Sequence, residues 1–106
     1  MTGPIDLPGT QLVEWGGALR WYRPSAEALA VLSGTTPAAP QAAAQALRER
    51  IAALGGTATL FRADEAHADV LRFHPLAPVN LRIHQRLKQA FDPRGLINHG
   101  RMYPGL

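Results

Sequence analysis

A chain of 106 residues, 46% apolar and 18% charged, is sized for one small domain and has the composition of a globular protein rather than a disordered one. It contains no cysteine, which excludes disulfides, thiolate catalysis and cysteine-based zinc or iron–sulfur sites, and fits a reducing compartment. The net charge of +3 is local in origin: from residue 81 onward Arg82, Arg86, Lys88, Arg94 and Arg101 stand against a single acid, Asp92. A patch of that kind suits nucleic acid, an acidic protein face or a phosphate-bearing cofactor, and equally a plain solvated helix face.

No apolar run approaches the roughly 20 residues of a membrane span, and "MTGPIDLPGTQ" lacks the basic and apolar regions of a signal peptide, so a soluble protein inside the cell is expected. After an extended lead-in broken by glycine and proline, "QLVEW" and "ALRWY" are β-prone runs separated by Gly16-Gly17, the signal of a two-residue hairpin turn of type I′ or II′. In that register Leu12, Glu14, Leu19 and Trp21 share one face; a single strand with a glycine bulge is the alternative. Ser25 is placed to cap a short helix ending at Leu32, and "SGTTPAAP" is linker chemistry.

Gln41 to Leu54 carries Ala44, Leu47, Ile51 and Leu54 on one stripe, with Arg48 and Glu49 directed elsewhere, and stops at Gly55-Gly56. "TATLFR", residues 57 to 62, is expected to add a strand to the tryptophan-bearing pair. Asp64 to His67 suggests a short helix and Val70 to Phe73 a brief extended segment. A second amphipathic helix follows Pro78, with Val79, Ile83, Leu87 and Ala90/Phe91 on its apolar side. The order β-β-α-β-α describes an α+β fold: a small antiparallel sheet with two main amphipathic helices packed on it, plus a C-terminal return segment.

Chemistry-bearing motifs are few. His67, His74, His84 and His99 lack helical ligand spacing, so no metal site is expected. The cluster Asp64, Glu65 and Asp69 reads as an acidic helix turn rather than as catalytic equipment. Trp15, Trp21 and Tyr22 among Arg20 and Arg23 have the composition of a single-strand platform, but packing under the first helix explains the same tryptophans, and no nucleic-acid partner is expected. The glycines form neither a P-loop nor a dinucleotide fingerprint. No catalytic residue is assigned.

The ending is the most specific feature. Asp92-Pro93-Arg94-Gly95 suits a type I turn that must end the helix, after which Leu96 and Ile97 fold back along it. Asn98-His99-Gly100-Arg101 forms a second turn-like unit. Together with "QLVEWGGALRWY" and "ALGGTATLFR", the run "FHPLAPVNLRIHQRLKQAFDPRGLINHGRMYPGL" resembles the C-terminal region of the FAD-binding subunit family of bacterial glycolate oxidases (glycolate dehydrogenases), within the vanillyl-alcohol-oxidase-like FAD-linked oxidase superfamily. Many members of that superfamily close on a motif similar to this Phe91, Asp92, Pro93, Gly95, Asn98, Gly100 and Arg101.

The resemblance implies FAD-dependent oxidation of glycolate to glyoxylate in a complex with a second flavin subunit and an iron–sulfur subunit. It places the complex in the cytoplasm or peripheral to the inner membrane, with no direct membrane insertion. It also implies that residues 1–88 are a cap-type domain and 89–106 a return motif packing on an FAD domain absent from this sequence. Asn98 and Arg101 are then the cofactor-binding positions, with Asp92 and Gly95 shaping the approach. Two departures stand out: His99 occupies a position where the superfamily has proline, and no glycine-rich FAD-pyrophosphate region precedes the motif. The sequence is therefore expected to be a fragment that is inactive alone and binds no FAD tightly; a free-standing α+β interaction module is the alternative.

Overall fold

The computed structural model describes residues 5–35, 39–65 and 68–106. The chain divides into two compact units, Met1–Leu71 and Arg72–Leu106. In the first, strands β1 (Gly9–Glu14) and β2 (Leu19–Pro24) pair antiparallel, with Leu12 opposite Trp21 and Glu14 opposite Leu19, the register read from the sequence. The turn is the expected one. Gly16 and Gly17 both take positive φ, 61° and 95°, as type I′ requires, and the Ala18 N–H donates to the Trp15 carbonyl at 3.1 Å.

Trp15 itself has φ 53° and is 82% exposed, so it does not pack beneath a helix as expected: the left-handed backbone at the end of the ladder swings it off the sheet. Trp21 is more sheltered. Its indole N–H donates to Glu14 Oε2 at 2.6 Å, and its ring meets Phe61 edge-on, centroids 4.9 Å apart.

Helix α1 (Ala26–Ser33) starts as foreseen, with Ser25 Oγ accepting the Ala28 N–H at 3.1 Å. Helix α2 (Pro40–Ala53) ends in a Schellman arrangement: the N–H groups of Gly55 and Gly56 donate to the carbonyls of Ala52 and Ile51. The two helices pack on one another, and α1 also touches β2. Ala28 and Ala43, each 1% exposed, bring small side chains to the interior of this unit, where Leu7 and Val70 are also buried.

Two expectations fail here. Residues 57–62 form no strand; the sheet has two strands. Arg48, assigned to the outward side of its helix, is 4% exposed. A segment outside the sheet leaves its carbonyls without ladder partners, and Arg48 supplies donors: Nε to the Ala58 carbonyl at 3.5 Å and Nη2 to the Leu71 carbonyl. Burial pulls the guanidinium below its ordinary pKa. The short helix expected at 64–67 falls partly outside the described residues, and 70–73 forms no strand.

The second unit is built on α3 (Pro78–Phe91), which begins at Pro78 as its fixed φ favours. Its apolar stripe matches the expected spacing, but Val79, Ile83, Leu87 and Phe91 are 56%, 50%, 50% and 82% exposed. The residues after α3 curl back by turns, described next. The α+β class thus holds, with a two-stranded antiparallel sheet and three helices among the described residues. No helix of the described residues is long and apolar enough to cross a membrane.

Candidate functional site

The site starts with a helix end. Residue 92 precedes a proline, so α3 cannot continue, and the carbonyls and amides beyond its last turn need other partners. Asp92 supplies most of them. Its N–H closes on the Lys88 carbonyl at 2.8 Å, and its carbonyl accepts the Gly95 N–H at 3.0 Å, completing the expected turn with Gly95 at φ 63°. Its carboxylate then reaches forward: Oδ1 accepts the Leu96 N–H at 2.9 Å and Oδ2 the Ile97 N–H at 2.8 Å.

Lys88, one turn back on α3, completes this arrangement. Its ammonium donates to Asp92 Oδ2 at 2.7 Å and to the Ile97 carbonyl at 2.5 Å. The Lys88 hydrogen bond, followed by those from the Ile97 and Leu96 amides, lowers the Asp92 carboxyl from 3.8 to about 2. The return is held by its backbone. The side chains of Leu96 and Ile97, expected to fold onto the helix, remain 70% and 62% exposed.

The second turn follows at once. Asn98 takes φ 49°, a conformation its short amide side chain tolerates, and the Arg101 N–H donates to the Asn98 carbonyl at 3.2 Å. His99, the departure from the superfamily pattern, leaves this turn closed; its Nδ1 lies 3.8 Å from the position a Cβ would take on Gly95. Gly100 N–H donates to the Leu106 carbonyl at 2.6 Å, and Tyr103 Oη to the His74 carbonyl at 3.1 Å, with the Tyr103 ring 5.7 Å from that of Phe73.

Asn98 and Arg101, the two cofactor candidates, therefore sit at the first and last positions of one turn. Both are exposed, and neither side chain hydrogen-bonds another described residue. An amide and a guanidinium offered from one closed turn form a donor-rich set that fits the phosphates or the polar ring edge of a flavin nucleotide. On α3 itself, Arg82 and Arg86 line a groove with Val79 and Ile83, and that helix contains no acidic residue.

His84 Nδ1 lies 2.8 Å from the Asn80 carbonyl one helical turn away, His67 lies outside the described residues, and among the described residues no three His, Cys, Asp or Glu gather as a metal site would need. Sequence reasoning passed over Lys88 and Tyr103. The i,i+4 spacing of Lys88 and Asp92 was a usable signal for the first. Nothing local marks the second, whose partner is 29 residues away.

No protein-family model matches the chain, and no solved structure matches it. Among curated proteins, glycolate oxidase subunit GlcE of Escherichia coli (strain K12) is 41% identical over 103 residues, which is 96% of this chain and 23% of that protein. The chain thus spans less than a quarter of the length of the relative it matches. The likeness bears out the resemblance: over nearly all of its length this chain is similar to part of glycolate oxidase subunit GlcE.

Proposed function

We propose that this chain is the C-terminal part of an FAD-dependent 2-hydroxy-acid oxidoreductase subunit that serves the oxidation of glycolate to glyoxylate and is inactive without the rest of its polypeptide. One observation carries the reading: in a chain 41% identical to part of glycolate oxidase subunit GlcE, the Asn98–Arg101 turn is closed and presents two exposed polar donors. FAD, when bound, supplies the two-electron chemistry. Asn98 and Arg101 bind and orient it: the amide donates to a polar edge, and the guanidinium compensates negative charge.

Residues 1–88 then act as a cap-type region and 89–106 as the return motif on an FAD domain. The exposed stripe Val79, Ile83, Leu87 and Phe91, which crosses the 88/89 boundary, supports contact with such a domain, because an apolar helix stripe is ordinarily covered by another surface. The holoprotein works in the cytoplasm, or peripherally at the inner membrane, beside a second flavin subunit and an iron–sulfur subunit.

The test is spectroscopic. The 106-residue chain should purify colourless, and the polypeptide extended upstream to the length of the relative should carry flavin absorbance. Arg101→Ala and Asn98→Ala in the extended protein should each weaken FAD binding about tenfold, the loss expected for one charge-assisted or well-placed hydrogen bond. An extended protein that holds no flavin overturns the reading.

A further inference from the structure

The Lys88–Asp92 pair does more than end a helix. An ordinary C-terminal stop needs only the Asp92 N–H on the Lys88 carbonyl and the Gly95 N–H on the Asp92 carbonyl, and both are present. The side chains add a second layer. Asp92 Oδ2 holds the N–H of Ile97 at 2.8 Å, while Lys88 Nζ holds the carbonyl of the same residue at 2.5 Å and Asp92 Oδ2 itself at 2.7 Å.

The two peptide planes flanking Ile97 are thus fixed from one side by a closed three-member network. The second of those planes is the one from which Asn98 departs, at φ 49°. A residue in the left-handed region is sensitive to the plane that precedes it, because rotation of that plane redirects both its side chain and the turn that follows. Asn98 opens the turn that ends at Arg101, so its orientation fixes where both donors point.

We propose that Lys88 and Asp92 are positioning residues that set the orientation of Asn98 and Arg101 toward the flavin through the Ile97–Asn98 peptide, an inference that rests on the FAD reading of that turn. Lys88 is the more informative member. Asp92 also anchors two amides whose loss opens the whole return, whereas Lys88 is alone in holding the Ile97 carbonyl among the described residues.

The experiment uses the flavin-loaded full-length protein and compares Lys88→Met, Lys88→Arg and Asp92→Asn with Asn98→Ala and Arg101→Ala. Three quantities are read: FAD affinity by fluorescence, the flavin midpoint potential, and hydrogen–deuterium exchange of the amides at 96, 97, 100 and 101, each of which donates a hydrogen bond. Lys88→Met should weaken FAD about tenfold, shift the potential and speed exchange at 100 and 101 while melting as the wild type does, and Lys88→Arg should restore most of each change. Asp92→Asn should additionally speed exchange at 96 and 97.

Unchanged exchange at 100 and 101 in Lys88→Met overturns the proposal. So does faster exchange with unaltered affinity and potential while Asn98→Ala or Arg101→Ala still weakens FAD; in that case the FAD reading stands and only the positioning role is lost. If those two variants leave FAD untouched as well, the FAD reading falls and takes the proposal with it.

Discussion

Arg48 in the first unit and Asp92 in the second satisfy backbone groups with opposite charges and over very different distances along the chain. Arg48 is buried and donates to the carbonyls of Ala58 and Leu71, 10 and 23 residues away. Asp92 accepts from amides four and five residues ahead. The guanidinium joins segments that have no regular ladder between them, whereas the carboxylate shapes one turn beside its own helix. Removing a long-range polar tie of this kind strips bonds that join distant segments; a local tie is replaced in part by neighbouring turn geometry and by water.

That contrast is open to test, and the largest effect should come from the long-range member. Arg48→Met keeps the bulk of the side chain and deletes the donors, and should destabilise the fold by roughly 1.5–3 kcal/mol, the range for hydrogen bonds to a charged group. Urea unfolding measures it, and a loss under about 0.5 kcal/mol, the scatter of ordinary surface changes, would show that the two carbonyls find other partners. Next in size is Gly17→Ala at φ 95°: a Cβ in that region costs about 1–2 kcal/mol, and weaker Trp21 packing should appear with it in near-ultraviolet circular dichroism.

Ser25→Ala removes one local cap on α1 and should cost about 1 kcal/mol by the same unfolding measurement, below Arg48→Met if range is what matters. The smallest change concerns pH. The Asp92 carboxyl is depressed in the folded protein, so its contribution is fully present above its ordinary value of 3.8 and is lost as pH falls through about 2. The amide proton shifts of Leu96 and Ile97 should titrate with a midpoint near the lower figure; a midpoint near 3.8 would mean that the carboxylate does not hold them.

Sequence reading followed the same division. The Ser25 cap, the Gly16-Gly17 turn and its register, the stop after α2, the start of α3 and both C-terminal turns depend on residues within a few positions of one another, and all were legible. The fate of "TATLFR" was not. Its β-propensity is a local preference, but whether a strand forms depends on an edge elsewhere being offered to it, and here Phe61 meets Trp21 through its ring instead. Arg48 was misassigned because amphipathic spacing separates charged from apolar side chains and has no category for a charge drawn inward by distant carbonyls. At the candidate site Asn98 and Arg101 came from motif resemblance, and the placement of Asn98 in the left-handed region agrees with the turn chemistry; Lys88 was visible only as spacing.

The hairpin tip has a practical consequence for watching this protein. Its two tryptophans occupy contrasting surroundings: Trp15 stands 82% exposed beyond the ladder, and Trp21 is hydrogen-bonded to Glu14 and set edge-on against Phe61. Their emission should therefore separate, with Trp15 contributing red-shifted light that acrylamide quenches readily and Trp21 contributing the component that responds when the first unit loosens. A Trp15→Phe variant would leave a single intrinsic probe of that unit, already in place and requiring no added dye.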